Sequence, residues 1–301
     1  MAIAPAEKID PARLAAVSVY LLERNNEVAN SMRTMLRGVG MAGVKTFPTP
    51  DELEANLGRP APDVLILSES EGSDIFEVTK RVRRAVVGKN PFTVILLLVT
   101  TNNPESIKAA LMSGADSALV KPVASGQLVD RISQLAFSRA PFIATTDYIG
   151  PERRNSGRPS DIPLIQTINT LRYKLERKTI APEALEKAIA STTIQLWLGQ
   201  LKSHSLKLQF SCNVAFEHHR AQRPEAEVKA SLLDLVAVLE DAATTAQRID
   251  RPDMLKTCHD LAKEIKALAS DTDGLEDHKI KMIALIPAAF EQARQKLSPQ
   301  A

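Results

Sequence analysis

Pro62-Asp-Val-Leu-Ile-Leu-Ser68 decides how the first half of the chain folds. Val64, Leu65, Ile66 and Leu67 leave no polar face, so a strand made from them must be covered on both sides. A parallel sheet wrapped by helices meets that demand. Ser68 is the first polar residue to emerge at the strand's exit.

Working outward, the stretches Ser18–Leu22, Val44–Phe47, Thr93–Val99 and Ala118–Val120 are also apolar and β-prone. Helical patterns separate them over Glu27–Arg37, Pro50–Asn56, Ile75–Val86, Pro104–Ser113 and Gly126–Ser138. In the first of these, Val28, Met32 and Leu36 recur at four-residue spacing, and Gly38 and Gly40 close the helix. The repeated strand–helix alternation predicts a doubly wound, five-stranded parallel α/β sheet. Its functional crevice should lie at the C-terminal strand ends.

The chain has 301 residues, enough for two domains of about 150 residues each. Its 38 basic and 36 acidic side chains are interspersed and sum to +2, so nucleic acid is not an expected partner. Cys212 and Cys258 lack CxxC spacing and read as small buried hydrophobes. No basic start followed by an apolar run marks a signal peptide, and the longest apolar run, Val94–Val99, is too short to span a bilayer. A cytoplasmic location without a membrane partner is expected. No phosphate loop, GxGxxG turn, zincin helix or nucleophile elbow occurs, so neither a cofactor nor a metal is expected.

Composition predicts three segments: an α/β domain over 1–140, a polar linker over 141–161 and an α-helical bundle over 162–301. The linker holds prolines, glycines and the cluster Glu152-Arg-Arg-Asn-Ser-Gly-Arg158. Beyond it, helices are predicted over Leu164–Arg177 and Pro182–His219. Another starts at Pro224 with Val228, Leu232, Leu235 and Leu239 on one face, and a further one starts at Pro252. A last helix over Glu276–Leu297 contains Pro287, which should kink or split it. Short connections make an all-α bundle the expected architecture.

The landmarks at the strand ends are Glu23-Arg24 after the first, Ser68 after the third, Val99-Thr100 after the fourth, and Leu119-Val-Lys-Pro122 at the fifth, preceded by Gly114-Ala-Asp116. In this order the first half resembles the receiver domain of two-component response regulators. The resemblance implies a receiver/flavodoxin-like fold. In that family two acids hold Mg²⁺, an aspartate accepts a phosphoryl group, a Ser or Thr senses it, and a lysine pairs with its oxygens. Carried onto this chain, Glu23 matches the first acid and Arg24 replaces the second. Ser68 stands at the acceptor position and Val99 at the switch hydroxyl, with Thr100 adjacent. Lys121 matches the phosphate-pairing lysine, followed by Pro122, expected to be cis. Ala118 stands where many receivers carry an aromatic residue, so Ala118, Lys121 and Pro122 are candidates for a switch or output face.

A pocket left with Glu23 alone is poorly supplied for a divalent cation, which prefers several hard oxygens. A serine without a neighbouring general base is also a poor nucleophile. Arg24 could reach Glu23 or Glu69 and lock the site. Alternatively Glu69 or Glu71 enters it and mimics the phosphorylated form. Either way a degenerate, non-catalytic pocket is expected.

Two further motifs stand out. Asp147-Tyr-Ile-Gly-Pro-Glu-Arg-Arg154 resembles a tail of some proteobacterial receiver proteins. It reads either as solvated linker or as a docking segment in which Tyr148 packs on a partner and Arg153 and Arg154 pair with acids. His204-Ser-Leu-Lys207 is similar to the His-x-Leu-Lys run of histidine phosphotransfer domains, with Leu208 in place of the family's glycine. His204 is therefore either an ordinary helix histidine or a phosphotransfer site. The adjacent His218 and His219 point to different sides of a helix and do not form a metal site.

The expected function is a non-catalytic adaptor in a bacterial two-component-type pathway, binding a histidine kinase, receiver or phosphotransfer protein. The bundle would form a homodimer or bind a second partner. The alternatives are a phosphorelay protein using His204 and a DNA-binding regulator with an unrecognised helical output.

Overall fold

The structure, a computed structural model, describes residues 11–58, 60–71, 74–153, 161–270 and 281–297. It divides into two compact units. One comprises Met1–Ile143, Tyr148–Arg158 and Leu164–Thr193; the other comprises Ala144–Asp147, Pro159–Pro163 and Ile194–Ala301.

The first unit is a five-stranded parallel sheet in the order β2-β1-β3-β4-β5. The strands are β1 (Ser18–Leu22), β2 (Gly43–Phe47), β3 (Val64–Ser68), β4 (Val94–Val99) and β5 (Ser117–Val120). Every side chain of β3 and β4 is buried, as their apolar composition requires. Residues alternate faces along a strand, so the sheet feeds two cores. Val19, Leu21, Val64, Ile66, Leu96 and Leu98 pack on one side. Tyr20, Leu22, Leu65, Leu67, Ile95 and Leu97 pack on the other.

A short α1 (Pro11–Leu14) precedes the sheet, and five helices cover it: α2 (Asn26–Gly38), α3 (Pro50–Ala55), α4 (Ile75–Arg83), α5 (Pro104–Met112) and α6 (Ser125–Phe137). Side-chain caps set several of their starts. Asn25 accepts from the N–H groups of Glu27 and Val28, Asp74 from Phe76 and Glu77, and Asn103 from Glu105. α4 stops at Arg83, three residues short of the expected Val86, because Ala85 takes a left-handed conformation with φ 50°.

The expected linker over 141–161 is a correction. Its described part forms two strands, β6 (Phe142–Ala144) and β7 (Ile149–Pro151), paired with each other. Phe142 is fully buried and bridges antiparallel to Ile165 through both backbone hydrogen bonds. The bundle helix expected over Leu164–Arg177 is also corrected. Only α7 (Thr170–Leu175) is helical there, and Leu171 and Leu175 join the core of the sheet. Asn169 fastens this segment by donating to the carbonyls of Leu135 and Ala136 at the end of α6. The α/β body thus extends well past residue 140.

The second unit is helical. α8 (Pro182–Arg220) enters it from about Ile194, and it continues through α9 (Glu225–Arg248), α10 (Pro252–Ala269) and α11 (Ile286–Gln295). Residues 281–283 are helical, 284–285 form a turn, and α11 resumes with Pro287 in its first turn, so the helix is split at this proline as the sequence suggested. Residues 276–280 of that expected helix fall outside the described residues. Leu201, Leu208, Leu232, Leu239, Cys258, Ile265 and Phe290 form part of its buried interior. Cys212 and Cys258 are buried free thiols whose pKa burial pushes up to about 12, which leaves them chemically quiet. No helix among the described residues is long and apolar enough to cross a membrane.

Candidate functional site: the crevice at the C-terminal strand ends

Parallel strands deliver their C-terminal residues to one edge of the sheet. The register sets Leu22 beside Leu67, Ser68 beside Leu98 and Val99 beside Val120. Glu23, Ser68, Thr100 and Lys121 therefore gather at that edge.

Their bonding closes the crevice from within. The wholly buried Ser68 hydroxyl donates to Glu23 Oε2 at 2.6 Å. Lys121 Nζ donates to Ser68 Oγ at 2.9 Å and to the Glu69 carbonyl at 2.6 Å, and lies 3.9 Å from Glu23 Oε2. The other Glu23 oxygen accepts the Asn25 N–H at 2.9 Å. The Lys121–Pro122 peptide bond is cis, as the resemblance implied.

Two sequence-based expectations change here. Arg24 reaches neither Glu23 nor Glu69; its guanidinium donates to the Glu71 carbonyl at 2.7 Å and stays exposed. The second concerns Ser68, for a carboxylate does adjoin it. That carboxylate accepts the Ser68 hydroxyl, while the Lys121 ammonium, 3.9 Å from the same carboxylate oxygen, donates to Ser68 Oγ.

Val99 is buried in the core, and Thr100 carries the hydroxyl at the end of β4. Its N–H and Oγ1 both donate to Glu69 Oε2, at 2.6 and 2.7 Å. A carboxylate from the end of β3 thus holds the start of the β4–α5 loop. Asn25 and the Glu69–Thr100 pair complete the site. Asn25 could have been found as the cap residue preceding α2, and Glu69 from its place next to the strand exit. Ala118 is half-buried and Pro122 exposed beside this edge.

A magnesium ion, which the fold family implies, does not fit these residues. The Glu23 carboxylate has both oxygens already hydrogen-bonded, the Glu69 carboxylate is held by Thr100, and a serine hydroxyl and an arginine stand where further acids would be needed, so the site falls short of the hard oxygen set such an ion takes. Among the described residues no group of three or more His, Cys, Asp or Glu side chains is placed to hold a metal.

The opposite edge of the sheet holds a buried ionic cluster. Asp116 accepts from Arg83 Nη2 at 2.7 Å, from Arg139 Nε at 2.7 Å and from the Ile95 N–H at 2.8 Å. Burial alone would raise the Asp116 carboxyl, but Arg139 and Arg83 outweigh it and hold its pKa below the usual carboxylate range. Burial pushes Arg83 down to about 10, and four hydrogen bonds keep its guanidinium satisfied. Both guanidiniums face the Phe142 ring, at 5.1 and 4.7 Å from its centroid.

The tail motif packs against this cluster. Arg153 donates to the carbonyls of Ala115 and Asp116, and the buried Tyr148 donates to the Pro151 carbonyl at 2.8 Å. Gly114, at φ 98°, lies so close to β7 that a Cβ there would sit 2.3 Å from the Ile149 carbonyl oxygen. Tyr148 and Arg153 are therefore spent inside this unit, a correction to the partner-docking expectation. Arg154 lies outside the described residues.

His204 is likewise corrected as a phosphotransfer site. It is completely buried, Nδ1 donates to the Gln200 carbonyl at 2.8 Å, and Nε2 meets Asp241 Oδ2 at 2.8 Å. Neither nitrogen is open to a phosphoryl donor. His218 Nδ1 bonds Ser231 Oγ at 2.9 Å.

No protein-family model matches the chain, and no curated protein is significantly similar to it. Solved structures similar to its N-terminal part are receiver domains. The Vibrio cholerae chemotaxis protein CheY4 is 27% identical, covering 39% of this chain and 97% of its own, with a TM-score of 0.35. The receiver domain of a signal transduction histidine kinase from Syntrophus aciditrophicus is 16% identical, covering 41% and 94%, with a TM-score of 0.35. That of a Pseudomonas aeruginosa sensor histidine kinase, solved with a magnesium ion in its active-site cleft, is 21% identical, covering 39% and 94%, with a TM-score of 0.34. The likeness is one of fold over about two fifths of the chain.

Proposed function

We propose that this chain is a non-catalytic signalling adaptor of the two-component type, in which a phosphorylation-incompetent receiver-like unit presents a fixed surface to signalling partners and a helical unit engages others. The observation that carries this reading is the internal closure of the crevice. Lys121, the cation that would meet an incoming phosphoryl group, already donates to Ser68 Oγ and the Glu69 carbonyl. The acid left at the end of β1 is consumed by Ser68 and Asn25. Phosphoryl transfer depends on positioned charge, and little unspent charge remains here. The Glu69–Thr100 contact supports a loop held in one arrangement without any modification. Burial of His204 weighs against the phosphorelay alternative.

The test is isothermal calorimetry of the full chain with beryllofluoride and Mg²⁺, beside the Arg24→Asp/Ser68→Asp double variant. Wild-type protein should give no magnesium-dependent heat, while the double variant, with its acids restored, should bind. Saturable magnesium-dependent uptake by the wild type would overturn the adaptor reading.

A further inference from the structure

Glu69, the first residue past β3, is bonded through its amide, its carbonyl and its carboxylate. Its N–H donates to the Leu98 carbonyl at 2.8 Å, extending the β3–β4 ladder by one step. Its carbonyl accepts Lys121 Nζ at 2.6 Å. Its Oε2 accepts both the N–H and the Oγ1 hydroxyl of Thr100, at 2.6 and 2.7 Å. With the backbone fixed on both sides, the side chain gives up only its own rotamers to make that two-point contact. Two residues on, the Glu71 carbonyl accepts the Arg24 guanidinium at 2.7 Å.

These bonds share a direction. Arg24 comes from the β1–α2 loop, Thr100 from the β4–α5 loop and Lys121 from the β5–α6 loop, and each donates into residues 69–71. The β3–α4 loop thus supplies acceptors to three separate strand ends, as an anionic ligand laid across the edge of the sheet would. The Thr100 contact is the one in which the loop contributes a full negative charge, and a charged acceptor holds an N–H and a hydroxyl more strongly than a carbonyl does. It lies at the surface, with Thr100 exposed and Glu69 half-buried, so small solutes can reach it. From there the bonding runs stepwise into α5. The Asn103 N–H donates to Thr101 Oγ1, and the Asn103 side chain caps the helix by accepting the Glu105 N–H.

We propose that the Glu69 carboxylate is a built-in latch: it stands in for an anion acquired by modification, and it holds the β4–α5 loop and the entry to α5 in one position at all times. The proposal rests on the adaptor reading and names its regulation, since the surface shown to partners is then set by Glu69 and not by a phosphoryl group. A latch made of one noncovalent carboxylate has a chemical signature. Removing it leaves a vacancy that another small carboxylate can fill.

The experiment follows amide exchange residue by residue in the full chain by NMR, for the wild type, Glu69→Ala and Glu69→Gln. The Thr100 amide should exchange roughly tenfold faster in Glu69→Ala, with residues 101–103 following, while Ile66 and Leu96 in the sheet keep their rates. Glu69→Gln retains an acceptor and loses the charge, so it should fall between the two. Sodium acetate added to Glu69→Ala should slow Thr100 exchange again. Sodium chloride at the same ionic strength should not, and the wild type should respond to neither. Thr100 exchange that is equal in all three proteins overturns the latch, and so does a Glu69→Ala protein that acetate leaves unchanged. Acceleration at Ile66 and Leu96 along with Thr100 overturns it too, because Glu69 would then be holding the sheet and not the loop. Each of these failures leaves the calorimetric prediction for the crevice standing, whereas magnesium-dependent beryllofluoride uptake by the wild type defeats the adaptor reading without touching the Thr100 result.

Discussion

Asp116 shows how much depends on one carboxylate at the residue scale. Two guanidiniums and a backbone N–H converge on it inside the protein, so Asp116→Asn would leave cations buried without their counter-charge. Removing one partner of such a group costs roughly 3–5 kcal/mol, which urea unfolding followed by circular dichroism would read as a shifted midpoint. The pH dependence follows from its lowered pKa. A depressed carboxyl contributes stability that is present above its unfolded value of about 4 and is lost as pH falls through the folded value. The wild type should therefore lose stability on acidification below about pH 4 more steeply than Asp116→Asn. At this scale the sequence was legible to within one residue. Val99 and Thr100 are neighbours on a strand whose alternate side chains face opposite ways, so a slip of one position exchanges a core residue for a site residue. The target of Arg24 was not legible, because it is the Glu71 carbonyl and no side-chain pattern advertises a backbone acceptor.

Elements with strong periodicity were readable and the tail was not. The strands of the sheet fall within a residue of their expected bounds because unbroken apolar runs admit few alternatives. The stretch after residue 140 is rich in Pro, Gly and polar groups, which composition equates with a linker. Here Gly150 serves close backbone approach instead, and Phe142, Ile143 and Ile149 were the apolar signal to weigh against the linker reading. Gly114→Ala should strain the positive φ and collide with β7, so amide exchange over 148–153 should accelerate while β1 and β3 keep their protection. Leu171→Ala or Leu175→Ala in α7 should each cost about 2–5 kcal/mol, the usual toll for emptying a buried leucine site. If these residues belonged to the helical unit, the unfolding of the sheet would not respond. Exchange protection of β1 and α6 is the discriminating readout.

Over the whole molecule, fold class was the most legible property. A five-stranded parallel sheet and a helical unit both follow from hydrophobic period, and the cap residues agree with it. Division of labour was harder to read, since α7 has a helix's pattern and a sheet's allegiance, and only packing tells the two apart. The ionic side chains at the crevice have a further consequence. Glu23 and Glu69 are offset by Arg24 and Lys121, and Glu71, whose carbonyl Arg24 holds, leaves the edge one negative charge, so it projects only a weak potential into solvent. A rim so weakly charged steers a charged visitor little. A partner landing there should associate at a nearly unguided rate, on the order of 10⁵–10⁶ M⁻¹s⁻¹, and that rate should change little with ionic strength.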